Sequence, residues 1–447
     1  MKKVGFIFLF MFVSSVVRAQ QTDEFSLNEA VEYGLIHNLQ IRKAENEILK
    51  ARKKVWETTA AGLPQIKASA SWQKFIDKPV NLMPARIFNP QAPPDAYIPV
   101  SFGTEQNMKW SMNVNQLVFS GSYITGLYSS RVYKQISQLA SVKTRQKVKE
   151  TVAEAYVNAL MARKSADILR LNIKAVEENL RQTRSLYENG FVEQTDVKQL
   201  EITLSDLKSK LRYTLFLQSV ARQMLNFAMG RNPDAPLRLR DSLENLAAAS
   251  VDVGLAARPF TVDNHVDYLM EKNKVKSRKL MWRFEQSKLL PTVGAFYSLG
   301  KNAYNNEFDF FNESQNWFKQ SFVGVSINIP LFSSWMTRNK IGQARLSYEN
   351  ARLDMENTYR QLQIQYKKLK NDYLHAIDLY RTASKNLELA REIEKKEEIK
   401  YKEGVGNSFQ WNMARMQYYN AQQQYVKAMG DLILNKIKLE NFMHHEE

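Results

Sequence analysis

The stretch YENGFVEQTDVKQLE, from Tyr187 to Glu201, holds one polar segment that ends at Asn189-Gly190 and a second that starts at Thr195. A similar stretch, YKEGVGNSFQWNMAR, runs from Tyr401 to Arg415. Both place a tyrosine in the turn before a glycine, and glycine just after a helix favours a left-handed cap. The sequence therefore predicts the same helix-turn-helix bend twice, with tip turns at about 189–194 and about 403–407.

Long intervals without Pro or Gly precede both turns, from Gly126 to Gly190 and from Gly342 to Gly404. They are rich in Ala, Leu, Glu, Lys, Gln and Arg, which favour helix. We predict long helices at about 122–188 and about 334–402, each roughly 100 Å long. Small and apolar residues recur every three or four positions from Ile341 to Ala390, which is typical of a coiled-coil seam.

Shorter helices are predicted on either side of the long ones. The first starts at Ser26, with Glu29 completing a capping box, and continues to about Ala60. The others are expected from about Thr195 to Met229, from Thr261, and from about Ser408 to Phe442.

Four segments alternate apolar and polar residues, at about 65–75, 108–119, 292–299 and 321–332. This pattern and length suit outer-membrane strands, although a half-buried soluble sheet alternates in the same way. Aromatic residues near the segment ends favour the membrane: Trp72, Trp110, Phe119, Phe322, Phe332 and Trp335. Residues 77–107 and 300–320 are predicted to be long surface loops.

The chain is an internal duplication. LPQI at 63–66 corresponds to LPTV at 290–293, and NVNQLVFS at 113–120 corresponds to SINIPLFS at 326–333. We predict repeats at 21–230 and 261–443, a linker at 231–260 and a tail at 444–447. Each repeat is helix, strand, strand, long helix, helix.

The first residues, MKKVGFIFLFMFVSSVVRAQ, predict a signal peptide at 1–20, cut near Ala19 or Gln20. A membrane anchor is the alternative, but the apolar run is short for a span. The chain has no Cys, which excludes disulfides and thiol chemistry. The formal net charge of +17 is spread along helices as a solvated surface, and export argues against nucleic acid.

Four strands cannot close a barrel alone, and open edges in lipid leave backbone groups unpaired. Two copies would supply eight strands and three copies twelve, which is wide enough for a lumen. We predict a homotrimer, which also gathers six similar helical hairpins into a tube.

No catalytic chemistry is predicted. The histidines, His37, His265, His375, His444 and His445, show no spacing that gathers metal ligands. No nucleophile elbow, phosphate loop or carboxylate pair stands out. We expect no enzyme activity, no cofactor and no metal.

The strand-to-helix joints WSMNVNQLVF (110–119) and VSINIPLF (325–332), and the turn GFVEQTDV (190–197), resemble the outer-membrane efflux protein family of TolC-like ducts. The resemblance implies a mainly α fold with membrane β: a trimer forming a 12-stranded outer-membrane β-barrel continued by a periplasmic α-helical barrel. Residues 231–260 fall at the family's equatorial belt. The implied function is a passive exit duct of a multipartite efflux or type I secretion system, located in the outer membrane with a long periplasmic part. The implied partners are a periplasmic membrane-fusion adaptor and an inner-membrane RND or ABC transporter.

The resemblance also implies functional residues at the tips. Gly190, Phe191, Gly404 and Val405 are expected to contact the adaptor. Tyr401 matches the family's gate tyrosine, while Gln410 and Met413 stand where several relatives carry aspartates.

Asp196 keeps an acid in the first repeat, unless it is only a helix cap or a first-turn acid. We therefore expect a pore constriction at Asp196, Tyr401 and Gln410 that is held by packing and hydrogen bonds. The alternative function is a non-conducting periplasmic coiled-coil scaffold or adhesin, which explains the helices but not the strand pairs.

Overall fold

The computed structural model describes residues 23–443, which form two compact units. The strand unit comprises Glu45–Ala140 and Val266–Arg360. The helical unit comprises residues 23–44, Ser141–His265 and residues 361–443. The predicted signal peptide and the tail at 444–447 lie outside the described residues.

The elements follow the duplicated order in sequence. They are β1 (Asp23–Phe25), α1 (Leu27–His37), α2 (Leu39–Ala60), β2 (Gln65–Lys74), β3 (Val80–Pro84), β4 (Tyr97–Ser101), β5 (Gln106–Ser120), α3 (Gly121–Glu188), α4 (Gln194–Met229), β6 (Leu237–Leu239), α5 (Leu243–Ala249), α6 (Val266–Ser287), β7 (Thr292–Asn305), β8 (Trp317–Asn328), α7 (Met336–Lys402) and α8 (Ser408–Met443). The long helices α3 and α7 contain 68 and 67 residues.

The strand unit contains one antiparallel sheet in the order β2-β5-β7-β8. Within the described residues, β2 and β8 pair on one side only. The strand predicted at about 321–332 lies earlier, at Trp317–Asn328, because Pro330 cannot donate a ladder hydrogen bond. The strand predicted at about 292–299 continues to Asn305, so the loop between β7 and β8 is shorter than expected.

The segment predicted as a plain loop at 77–107 contains a two-stranded hairpin, β3 and β4, in which Leu82 pairs with Pro99. Proline is tolerated there because every strand of a two-stranded ribbon is an edge strand.

The short helix predicted from Ser26 to Ala60 is interrupted at Asn38. The Asn38 side chain donates to Ala228 O at 2.6 Å and accepts from Gln40 N at 2.7 Å. These bonds end α1 and start α2. The predicted capping box of Ser26 and Glu29 is confirmed. The helix predicted from Thr261 starts later, at Val266, after a 3-10 turn.

The predicted seam of α7 is confirmed, because all of its positions are buried or half-buried. They are Ile341, Ala344, Tyr348, Ala351, Met355, Thr358, Leu362, Tyr366, Leu369, Tyr373, Ala376, Tyr380, Ala383, Leu387 and Ala390. Spacing by three and four residues keeps one narrow stripe of the helix against its neighbours.

The core of the helical unit includes Tyr156 of α3, Leu200 of α4 and Met229 at the end of α4, all fully buried. Burial of each such side chain stabilises the fold by about 1.5–3 kcal/mol. In the part of the chain that the structure describes, no helix combines the length and apolarity needed to cross a membrane.

The linker at 231–260 forms β6, which pairs in parallel with β1, and α5. The Tyr156 hydroxyl donates to Phe25 O at 2.8 Å, and Arg163 donates to the carbonyls of Leu239 and Asp241. Burial raises the pKa of the Tyr156 hydroxyl. The two Arg163 bonds attach the linker to α3, and the Tyr156 bond attaches β1, the strand that pairs with the linker's β6.

Candidate functional site at the two helix tips

The first tip turn follows α3 directly. Gly190 has φ +75°, and its N–H donates to Tyr187 O at 3.0 Å. The next N–H, of Phe191, donates to Leu186 O at 2.9 Å. This pair of bonds is the Schellman motif, which satisfies carbonyls at the end of a helix.

The second tip turn repeats the same geometry after α7. Gly404 has φ +72°, its N–H donates to Tyr401 O at 3.1 Å, and Val405 N–H donates to Lys400 O at 3.0 Å. No atom lies within 4 Å of the position that a Cβ would take at Gly190 or Gly404. Glycine is therefore required by the left-handed backbone and not by lack of space. The tip turns at Gly190 and Gly404 therefore share one backbone conformation.

Each turn exposes an apolar side chain. The residue after the glycine in a Schellman motif often packs back on its helix. Here Phe191 is 77% exposed and Val405 is 75% exposed. Each hairpin thus ends in an apolar residue that the described chain leaves in solvent.

Asp196 is the third residue of α4 and half-buried. It lies in the first turn, where a carboxylate interacts favourably with the helix dipole. Its Oδ1 accepts a hydrogen bond from Ser408 Oγ at 2.5 Å. Ser408 is buried and starts α8, so this bond joins the first turns of α4 and α8.

Tyr401 is the second-to-last residue of α7 and is half-buried. Its hydroxyl is 3.0 Å from the hydroxyl of Thr183, a fully buried residue of α3. The Tyr401 ring stacks on Trp411 of α8, with centroids 5.0 Å apart. One side chain therefore connects α3, α7 and α8.

Trp411 also contacts the ion pair of Glu394 and Arg415. Glu394 Oε1 accepts from Trp411 Nε1 at 3.4 Å and from Arg415 Nη2 at 3.2 Å. The Arg415 guanidinium also lies 4.8 Å from the centre of the Trp411 ring, within the range of a cation–π contact. We call Thr183, Glu394, Tyr401, Trp411 and Arg415 the tip cluster.

Within one chain, the three predicted constriction residues have different contact partners and do not bond one another. Asp196 bonds Ser408, and Tyr401 bonds Thr183 and stacks on Trp411. The Gln410 side chain is exposed, and its backbone N–H donates to Asn407 Oδ1 at 2.8 Å. Gln410 and Met413 line a groove of ≈ 1030 Å³ between α7 and α8.

Sequence reasoning found Tyr401 but missed its partners in the tip cluster. The spacing of Trp411 and Arg415, four residues apart on one helix, could have indicated their contact. Glu394 and Thr183 lie on other helices, so no local pattern indicates them.

No metal centre is found between residues 23 and 443, where no group of three or more His, Asp or Glu residues is placed to hold an ion. His37 illustrates the reason: its ring stacks on Tyr33 at 4.0 Å, and Nδ1 lies 3.0 Å from Tyr33 O.

A family model described as outer membrane efflux protein matches residues 34–231 and 272–443. The chain belongs to this family. The resemblance inferred from the turns and strand-to-helix joints is therefore confirmed. As a family member, the protein is an efflux-type channel of the outer membrane with a long periplasmic helical part, and it is not an enzyme.

Solved structures of similar fold include the outer membrane protein VceC from Vibrio cholerae, at 15% identity and TM-score 0.72, covering 93% of this chain and 95% of that one. CusC aligns at 12% identity and TM-score 0.75, covering 94% of this chain and 92% of its own. The CmeC outer membrane channel of Campylobacter jejuni aligns at 15% identity and TM-score 0.72, covering 94% and 87%. No curated protein sequence matches the chain.

Proposed function

We propose that this channel is the passive exit duct of a multipartite efflux or type I secretion system. Its tips dock on a periplasmic membrane-fusion adaptor, which connects it to an inner-membrane RND or ABC transporter. The observation that carries the proposal is the pair of equivalent turns that expose Phe191 and Val405. The same exposed apolar position in both turns supports a contact that the two tips share.

The groove beside the second turn supports the same assignment. Phe409 and Met413 line it and are 53% and 59% exposed. An adaptor helix would bury these side chains together with Val405, since helices commonly bind in apolar grooves.

The channel is completed by three copies of the chain. Each copy contributes the four-stranded sheet, with β2 and β8 available at its edges. Three sheets give twelve strands, enough for a lumen, whereas eight strands fill their interior with side chains. Native mass spectrometry of the detergent-purified protein should give a trimer. A stable monomer or dimer would contradict this assembly.

The tip constriction is assigned to Asp196, Tyr401 and Gln410. Hydrogen bonds and ring stacking hold Asp196 and Tyr401 in place. Gln410 is neutral, so the second repeat has no charge at this position. The closed state is thus held by packing and polar contacts instead of a cation bound between carboxylates.

The docking test replaces Phe191 and Val405 with Glu and leaves both glycines unchanged. We expect export and co-purification with the adaptor to fall strongly, because a carboxylate in an apolar contact loses its hydration. Leu171→Glu is the matched control, since Leu171 is 68% exposed and lies on α3 away from the turns. Unchanged export by a correctly inserted double variant would refute docking at the turns.

Conductance in planar bilayers separates a duct from a scaffold. The purified protein should conduct ions, and the docking variants should conduct as well as the wild type. A protein that inserts without conducting would favour the scaffold.

A further inference from the structure

The apolar face of the sheet carries two adjacent lysines. Lys301 of β7 pairs directly with Lys319 of β8, and on its other side with Trp110 of β5. Trp110 in turn pairs with Ala70 of β2. Directly paired residues of antiparallel strands point to the same face. One row across the sheet therefore reads Ala70, Trp110, Lys301, Lys319.

The rows on either side are almost entirely apolar. The row nearer the β7–β8 loop contains Trp72, Met108, Ala303 and Trp317, and the row nearer the helices contains Ala68, Met112, Leu299 and Ser321. In an outer-membrane channel the apolar face meets lipid. The strand ends joined to helices face the periplasm. The row that contains Trp72 and Trp317 therefore lies on the outer-leaflet side.

Two like charges directly opposite each other destabilise a sheet pair. A lysine facing lipid is destabilising, most at the bilayer centre and least near the interface. Among the described residues 23–443, neither Lys301 nor Lys319 forms a direct ion pair, with Glu307, Asp309 and Glu313 of the loop or with any other carboxylate. An anionic group from outside the chain can therefore bind both lysines.

A cavity of ≈ 850 Å³ is bordered by Lys301, and Lys319 lies directly opposite Lys301 on the next strand. Its lining includes Trp72, Trp110, Leu299, Lys301, Phe311 and Trp317. Lys109 also borders it, although its side of the sheet is the polar one. The β7–β8 loop contributes Phe311 to the lining, and Phe308 of the same loop meets the Trp72 ring edge-on at 5.5 Å. A mostly apolar cavity that ends at Lys301, with Lys319 on the adjacent strand, fits a molecule with an apolar body and an anionic head.

We propose that Lys301 and Lys319 bind the phosphate of an outer-leaflet lipid whose apolar part occupies the cavity. Tryptophan belts mark the level of lipid head groups. The lysines lie one row inward, about 7 Å along the strands. Their flexible stems reach back to that level while staying on the apolar surface. A phosphate accepts hydrogen bonds from both ammonium groups and removes their mutual repulsion.

The test uses full-length protein in detergent and two probes, bisphosphorylated lipid A and its phosphate-free counterpart. Binding is measured by native mass spectrometry and by Trp fluorescence, since Trp72, Trp110 and Trp317 line the cavity. For Lys301→Gln/Lys319→Gln we expect at least about tenfold weaker binding of the phosphorylated lipid, a loss of one charge-assisted contact or more.

The controls keep the result interpretable if a variant folds poorly. Lys301→Arg/Lys319→Arg keeps both charges and should keep binding. Lys67→Gln removes a lysine from the opposite face, where Lys67 pairs with Asn113, and should bind like the wild type.

Equal binding of the two lipids, or unchanged binding by the Gln double variant, would overturn the proposal. Competition by inorganic phosphate at the same concentration as the lipid would also overturn it, because it would show a site for free anions. None of these outcomes depends on adaptor docking or export.

Discussion

The two tips of the chain share one backbone turn but differ in what lies behind it. Behind the first turn, Arg184 of α3 pairs with Glu201 of α4, with side chains 54% and 46% exposed. Behind the second, Glu394 of α7 pairs with Arg415 of α8, with side chains only 11% and 13% exposed. Exposed pairs contribute about 0–1 kcal/mol, whereas loss of one partner from a buried pair costs about 3–5 kcal/mol.

Aligned on the two glycines, the differences fall on a few positions. Val197 stands where the second repeat has Trp411, and both side chains are buried. Tyr187 stands where the second repeat has Tyr401, but it is 40% exposed. Glycine therefore gives both repeats the same backbone turn. Of the two tips, the one in the second repeat has the packed cluster. We infer that, within one chain, the second tip resists opening more than the first.

The largest expected effect is that of Trp411→Ala. It removes the ring that Tyr401 and Arg415 contact and should lower the free energy of tip opening by about 3–5 kcal/mol. Val197→Ala, at the matched position, should cost roughly 2 kcal/mol. Hydrogen exchange of the amides at 394–415 and 180–201 measures both. Equal losses at the two tips would show that they are equally packed.

Gly190→Ala and Gly404→Ala should have equal effects. Each forces a Cβ into a left-handed conformation, at about 1–2 kcal/mol. Gly342→Ala is the control, because Gly342 lies inside α7 with no atom within 4 Å of an added Cβ. That change should leave stability unchanged or raise it by up to about 1 kcal/mol. Thermal unfolding compares the three variants, and a marked difference between the two turns would contradict their equivalence.

Tyr401→Phe removes only the hydroxyl that bonds Thr183. We expect a loss of about 1 kcal/mol from the closed tip, about a fivefold shift toward opening. Tyr187→Phe should change nothing, since no hydrogen bond of its hydroxyl is present in the described residues. Single-channel recording gives the open fraction for each variant. An effect of Tyr187→Phe as large as that of Tyr401→Phe would place the gate at both tips.

The smallest expected effect is cation block. With Gln410 neutral and Asp196 bonded to Ser408, trivalent cations added on the periplasmic side should block conductance only feebly. Strong, voltage-dependent block that Asp196→Asn abolishes would show that a single carboxylate ring suffices. Strong block that survives this change would place the constriction elsewhere.

Local rules explain what could be predicted from the sequence. A left-handed glycine cap and a seam with steps of three and four residues depend on neighbours in the chain, so both turns and the α7 seam could be foreseen. The break at Asn38 depends partly on Ala228, far away in sequence. The tip cluster depends on the register of three helices, which fixes Thr183 and Glu394 opposite Tyr401 and Trp411. The pattern of a single segment therefore cannot predict these contacts.

The open edges of β2 and β8 have a consequence for biogenesis. A newly exported chain presents two strands with unpaired backbone groups, and closure proposed at three copies makes the yield depend on encounters between chains. At low abundance, mass action would make the trimer fall with the cube of monomer concentration, so halving free monomer would lower it about eightfold. Until those encounters occur, the same edges can pair with any exposed strand. The supply of chains to the membrane, and their protection on the way, would then limit how many ducts a cell can assemble.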